Sequence, residues 1–243
     1  MKTRLIAFGD SWTWGDELRD PTITDLEWVS DDRNTPYRLN HSFAGLVANH
    51  YGMTLENHGS NGQSLQSMIW TFEWWLDSNT QLDDCVILFG LTHPERTSWW
   101  WPERQLQSRD PPWYRYLHST WLESANGPDY KKLHDMHKIW RSCCVDGEWC
   151  RRSYQSAVYL FSGMCERLGI PAILVNVFSG MPKIPHSPVI NAHTGLIDQL
   201  RDTYPGRKDE HGRWGESHPN EAGHEIIADL LISHIDSCKL LGC

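Results

Sequence analysis

No apolar run in this 243-residue chain is long enough to cross a bilayer. The one apolar run near the start, Leu5 to Phe8, follows Lys2 and Arg4 and is too short for a secretory signal, so a cytoplasmic location without membrane insertion is expected. Positive charge is scarce: 22 Lys and Arg stand against 31 Asp and Glu, a net charge of −9. That balance argues against nucleic acid or an anionic membrane surface as the main partner. Cysteines number seven, an odd set without a disulfide framework, and reduced thiols are expected. His134-Asp135-Met136-His137, with Cys143, Cys144 and Cys150, matches no structural zinc spacing, so no metal is expected. No internal repeat is visible.

What is present is an alternation of buried strands and helices. Thr3 to Phe8, Met53 to Asn57, Asp84 to Phe89 and Pro171 to Phe178 read as strands. His41 to Tyr51, Leu65 to Leu76 and Arg151 to Leu168 read as helices, with Gly52 and Gly169 as stops. A last helix carries Ile226, Ile227, Leu230 and Leu231. Strand and helix in turn predict a parallel sheet in a single α/β domain over 1–243, which at this length buries roughly 70–75% of its unfolded surface. Residues 12 to 40 read as loop, with the acidic stretch Asp16 to Asn34 as a solvated face.

The chemistry concentrates at two places. Gly9-Asp10-Ser11 follows the first strand, where α/β folds bind ligands, and a helix starting there would place Ser11 at its N-terminus beside free backbone N–H groups. A serine hydroxyl is a poor nucleophile without a base, and imidazole titrates near neutrality. His218 supplies such a base in Glu216-Ser217-His218-Pro219-Asn220-Glu221-Ala222-Gly223-His224, just before the final helix.

Gly9-Asp10-Ser11 paired with His218-Pro219-Asn220 resembles the SGNH (GDSL-type) hydrolase family. The likeness covers both termini and two blocks between them, but not the middle. It implies a three-layer α/β/α fold with a flavodoxin-like parallel sheet in the order 2-1-3-4-5. It also implies a serine esterase working through an acyl-enzyme without a cofactor, with Ser11 as nucleophile and His218 as base. The loop Asn57 to Ser64 then supplies Gly62 to the oxyanion hole, alongside the Ser11 N–H. Two positions depart from the family. Thr92 stands where most members have an asparagine, and its hydroxyl becomes a shorter third donor. Gly215 stands where the family has its aspartate. Either Glu216 turns inward to orient His218, or a backbone carbonyl does so and a Ser–His dyad operates.

The sequence holds 14 Trp, many of them within 94–150. This stretch is broken by Pro102, Pro111, Pro112 and Pro128 and reads as a Trp-rich cap or lid insertion. Its indole faces either stack on sugar rings or wall an acyl pocket, or form the insertion's own small core. Substrate-side candidates are Asp10, Trp12, Asn61, His93, Trp99 and Trp100, with Asp10 also shaping the serine turn. Glu95 and Arg96, like His93, either orient substrate or make loop contacts. The expected substrate is a small acyl ester, such as acetyl on a carbohydrate, with lipid esters and thioesters open. The Thr92 and Gly215 departures also permit a protein of this fold that binds glycan or protein without catalysis.

Overall fold

The computed structural model describes residues 2–26, 30–100, 116–118, 128–144, 146–176, 189–191 and 218–241, with 99–100, 116–118, 128–134, 144 and 189–191 given by backbone alone. Its frame is a five-stranded parallel sheet. The strands are β1 (Arg4–Gly9), β2 (Thr54–Asn57), β3 (Cys85–Leu91), β6 (Ala172–Asn176) and β7 (Val189–Asn191), in the order β2-β1-β3-β6-β7. This is the flavodoxin-like order expected from the resemblance. A separate two-stranded antiparallel sheet joins β4 (Ser98–Trp100) to β5 (Tyr116–His118).

Alternation along the strands makes the layers. Leu5, Ala7, Val86, Leu88, Ile173 and Val175 face one side. There they meet Phe43, Ala44, Val47 and Ala48 of α3 (Phe43–His50), and Ile227, Ala228, Leu231 and Ile235 of α7 (Glu221–Cys238). Ile6, Phe8, Ile87, Phe89 and Leu174 face the other side. They pack on Met68, Phe72 and Trp75 of α4 (Leu65–Ser78) and on Tyr154, Val158 and Phe161 of α6 (Gly147–Leu168). Strands buried on both faces read as continuous apolar runs, which is why they were visible in the sequence.

Several elements differ from the sequence expectation. The stretch 12 to 40 is not all loop: α1 (Ser11–Trp14), a short 3₁₀ turn (Asp32–Asn34) and α2 (Thr35–His41) lie in it. These pieces are too short to carry an apolar period. Within the acidic stretch, Leu18 and Asn34 are fully buried, and Asn34 Nδ2 donates to the Leu18 carbonyl at 2.9 Å. The 94–150 stretch contains α5 (Pro128–Cys144), in which Met136 and Ile139 are exposed and His137 is buried, so its sequence shows no apolar stripe. Helix α6 begins at Gly147 rather than Arg151, because Asp146 caps it by accepting the Trp149 N–H at 2.7 Å. The short strand β7 falls in a stretch to which the sequence reading assigns no element. None of the described helices is long and apolar enough to cross a membrane.

The C-terminal helix is keyed to α3 by one buried polar contact. The Phe43 N–H donates to His224 Nδ1 at 3.0 Å, and the two rings stack with centroids 5.7 Å apart. The proton of that imidazole therefore sits on Nε2, which has no acceptor among the described residues. His224 is 0% exposed, and burial, helped by nearby His218, pushes its pKa down to about 3. An unfolded histidine titrates near 6.5, so between these values the unfolded chain binds the extra proton. Folding stability is full above about 6.5 and falls with decreasing pH, by up to about 1.4 kcal/mol per unit from this one group. Urea unfolding between pH 4.5 and 7.5 checks this. His224→Asn, which keeps an acceptor for Phe43, should flatten the acid side of the curve, and parallel curves for the two proteins would clear His224 of that role.

Candidate active site

Three strand ends converge. Gly9 of β1 pairs with Gly90 of β3, and Thr13 packs against both; a Cβ on either glycine would collide with its side chain. Glycine at both positions lets the single turn α1 settle on the strand ends, and Ser11 is its first residue. Asp10 caps the turn by accepting the Trp12 N–H at 3.0 Å. After β2, Gly59 closes against α1, where a Cβ would come 2.7 Å from the Trp14 nitrogen. Asn57 Nδ2 donates to the Thr13 carbonyl at 2.8 Å, and the Ser60 N–H donates to the Gly9 carbonyl at 3.0 Å. Gly62 follows with φ +74°, a left-handed conformation that suits glycine. The N–H groups of Ser11 and Gly62 have no acceptor among the described residues.

His218 arrives from the far end of the chain. Asn220 caps α7 by accepting the Gly223 N–H at 3.1 Å, and Tyr37 Oη donates to Glu221 Oε1 at 3.0 Å. These contacts and the His224 key fix the segment just before α7. His218 Nε2 lies 2.8 Å from Ser11 Oγ, across 207 residues of sequence. A neutral imidazole with its proton on Nδ1 accepts the serine hydroxyl in this geometry.

Beneath the serine lies a closed polar network. Asp10 is 1% exposed. Its Oδ2 accepts Thr92 Oγ1 at 2.9 Å and Arg96 Nη1 at 2.6 Å, and Arg96 Nη1 also donates to Thr92 Oγ1 at 2.9 Å. The Thr92 hydroxyl, expected as an oxyanion donor, thus gives its proton to Asp10. Asp10, expected also on the substrate side, is spent on the turn, on Thr92 and on Arg96. The role of Arg96, left open by the sequence between substrate contact and loop contact, includes the counter-charge of Asp10.

The other candidates are placed as follows. Trp12 is half-buried against the α3/α7 side of the core. Asn61 is half-buried, with Oδ1 enclosed and without a partner among the described residues. His93 Nδ1 accepts the Glu95 N–H at 3.3 Å, and its carbonyl accepts the Arg96 N–H at 3.0 Å, so it shapes the turn after β3. Trp99 and Trp100 are placed by backbone alone, in β4. Trp140 and Trp149 pack edge to face at 5.1 Å, which links α5 to α6. Glu216, Gly215, Trp101, Trp113 and Trp121 lie outside the described residues.

One residue at the site escaped the sequence reading. Asp16, assigned there to the solvated face, has its side chain 19% exposed and Oδ2 3.6 Å from His218 Nε2. Burial pushes its carboxyl pKa up, and the charge of His218 pulls it back. Behind it Arg38 is buried, donating Nη1 to the Trp14 carbonyl at 2.6 Å and lying 3.8 Å over the Trp14 ring. Burial lowers the Arg38 pKa to about 10, with Asp16 opposing the shift. The signal for Asp16 was its place after Gly15, one turn beyond the serine.

The Asp10–Arg96 pair is the electrostatic floor of the site, with side chains 2% and 12% exposed. Breaking a buried pair leaves a charge without compensation. Arg96→Met should lower unfolding free energy by about 3–5 kcal/mol in denaturant titrations. Adding Asp10→Asn, which still caps Trp12, should restore part of that loss.

No protein-family model and no curated protein matches the sequence. Solved structures do. Axe2, an acetyl-xylooligosaccharide esterase from Geobacillus, aligns over 97% of this chain and 95% of its own at 14% identity and TM-score 0.52. LAE5, an alpha/beta hydrolase enzyme from the metagenome of Lake Arreo, Spain, aligns over 96% and 95% at 13% identity and TM-score 0.51. A member of the lipolytic protein G-D-S-L family from Veillonella parvula aligns over 95% and 97% at 15% identity and TM-score 0.38. With the sheet order and the three layers, the likenesses to Axe2 and LAE5 show a three-layer α/β/α fold of the SGNH-hydrolase type.

Proposed function

We propose that this protein is a serine esterase that hydrolyses carboxylic esters through an acyl-enzyme. The observation that carries the reading is the 2.8 Å contact between Ser11 Oγ and His218 Nε2. As Ser11 Oγ bonds to the ester carbonyl carbon, its proton passes to His218 Nε2 and the carbonyl electron pair moves onto oxygen. The N–H groups of Ser11 and Gly62 receive that oxyanion. The intermediate collapses, the ester C–O bond breaks, and Nε2 returns the proton to the departing alcohol. Water then repeats the sequence on the acyl-enzyme and regenerates Ser11. Thr92 serves through Asp10, holding the serine turn, since its hydroxyl is already donated.

For substrate we propose a small acyl ester, such as acetyl on a carbohydrate. The likeness to a fold neighbour described as an acetyl-xylooligosaccharide esterase supports this choice, as do the Trp of the insertion.

A fluorophosphonate probe should label the wild-type protein and fail on Ser11→Ala. On p-nitrophenyl acetate, Ser11→Ala and His218→Ala should each lower kcat by about 10⁴-fold or more, with the double variant little worse, because the pair acts as a unit. A folded wild-type protein that takes no label and turns over no ester, yet binds glycan, would replace the esterase reading with a binding one.

A further inference from the structure

The loop that leaves the serine turn has an unusual path. The Ser11 carbonyl accepts both the Gly15 N–H at 3.0 Å and the Asp16 N–H at 2.9 Å. Gly15 has φ +84° and Glu17, a non-glycine residue, has φ +70°. Two left-handed residues thus bracket Asp16 and turn it back over the site. Backbone held in a sparsely populated region is characteristic of functional sites. Here it brings Asp16 Oδ2 to 3.6 Å from His218 Nε2, while Oδ1 takes the Glu17 N–H at 3.2 Å. Arg38 does not hold this carboxylate, since its Nη1 is turned to the Trp14 carbonyl. Among the described residues the ion-pair partner of Asp16 is His218.

We propose that Asp16 is the charge partner of His218, a carboxylate delivered from the N-terminal loop that stabilises the imidazolium formed when Ser11 gives up its proton. The inference rests on the Ser–His reading above and supplies an anion from among the described residues, where the position three residues before His218 is Gly215. Asp16 acts through His218 and is a positioning residue. At 3.6 Å the carboxylate is beyond hydrogen-bond length and takes no proton. The proton travels from Ser11 Oγ to Nε2 and on to the leaving alkoxide, and Asp16 stays ionised throughout. Its field favours the charged ring over the neutral one, which matters most where the tetrahedral intermediate forms.

Other charged and titratable groups face the pair. Glu17 and Arg19 stand on the same loop, Arg38 approaches from α2, and His224 lies in the first turn of α7. Asp10 is neutralised by Arg96. Glu17 opposes ionisation of Asp16, whereas Arg19 and His218 favour it. A neutral amide at position 16 therefore removes the negative charge next to the ring.

The test compares wild type with Asp16→Asn, which keeps an acceptor for the Glu17 N–H, and with Asp16→Ser as a second uncharged variant should Asn fail to fold. Circular dichroism verifies folding. On p-nitrophenyl acetate kcat should fall at least about tenfold with KM within twofold, and the acid limb of kcat/KM should move to lower pH by about one unit. Asp16→Glu should recover part of kcat. A second arm needs no catalysis: in protein with ¹³C-labelled Asp carboxyls, His218→Gln should shift the Asp16 titration upward. An unmoved Asp16 titration, or an uncharged folded variant with wild-type kcat and acid limb, overturns the proposal. Loss of fluorophosphonate labelling in the wild type alongside a moved titration would sink the esterase reading and leave the Asp16–His218 coupling standing.

Discussion

The site depends on the docking of the C-terminal helix against the sheet and α3. Ser11 and His218 are separated by 207 residues, and no local structure brings them together. Ile227, Ala228, Leu231 and Ile235 bury their side chains against α3 and the strands, and the His224–Phe43 contact fixes how the helix sits. Apolar burial supplies the attraction but is non-directional. The single buried hydrogen bond supplies direction, since its loss would leave the Phe43 N–H unsatisfied inside the protein. That polar key lies six residues beyond His218, so the packing of α7 helps to place the imidazole beside Ser11.

Charge around the serine is arranged in two ways. Below it, Asp10 is closed off by Arg96, Thr92 and the Trp12 N–H, which makes a rigid floor. Beside it, Asp16 is half-buried, and its ion-pair partner among the described residues is the His218 imidazole, with Arg19 and Arg38 acting on it at longer range. The first arrangement resists change because both charges are buried and matched. Under the proposed mechanism the second responds to proton transfer, because its partner changes charge. Two aspartates six positions apart thus have opposite characters, set by which cation each one meets.

Contacts rather than composition account for part of the 94–150 stretch. Trp140 and Trp149 meet each other across α5 and α6, and Arg141 reaches Glu95 in the turn after β3 at 3.3 Å. The aromatic pair ties α5 to α6, and the Arg141–Glu95 contact ties α5 to the turn after β3.

The strands and the Ser11–His218 pair were legible because their signals are local or repeated, whereas the sheet order and the three layers came from the family resemblance. Buried strands such as Cys85 to Phe89 appear as apolar runs, and Gly-Asp-Ser and His-Pro-Asn lie at strand and helix boundaries where few residues serve. The short helices α1 and α2 were not legible, since a turn or two carries no period. Nor was α5, whose Met136 and Ile139 face outward. Thr92 stood at the right place, but a hydroxyl donates one proton, and only the approach of Asp10 decided where that proton goes. Asp16 looked like one acidic residue among many. Two left-handed residues and a histidine from the opposite end of the chain made it part of the site, and side-chain partners so distant in sequence are decided by tertiary packing alone.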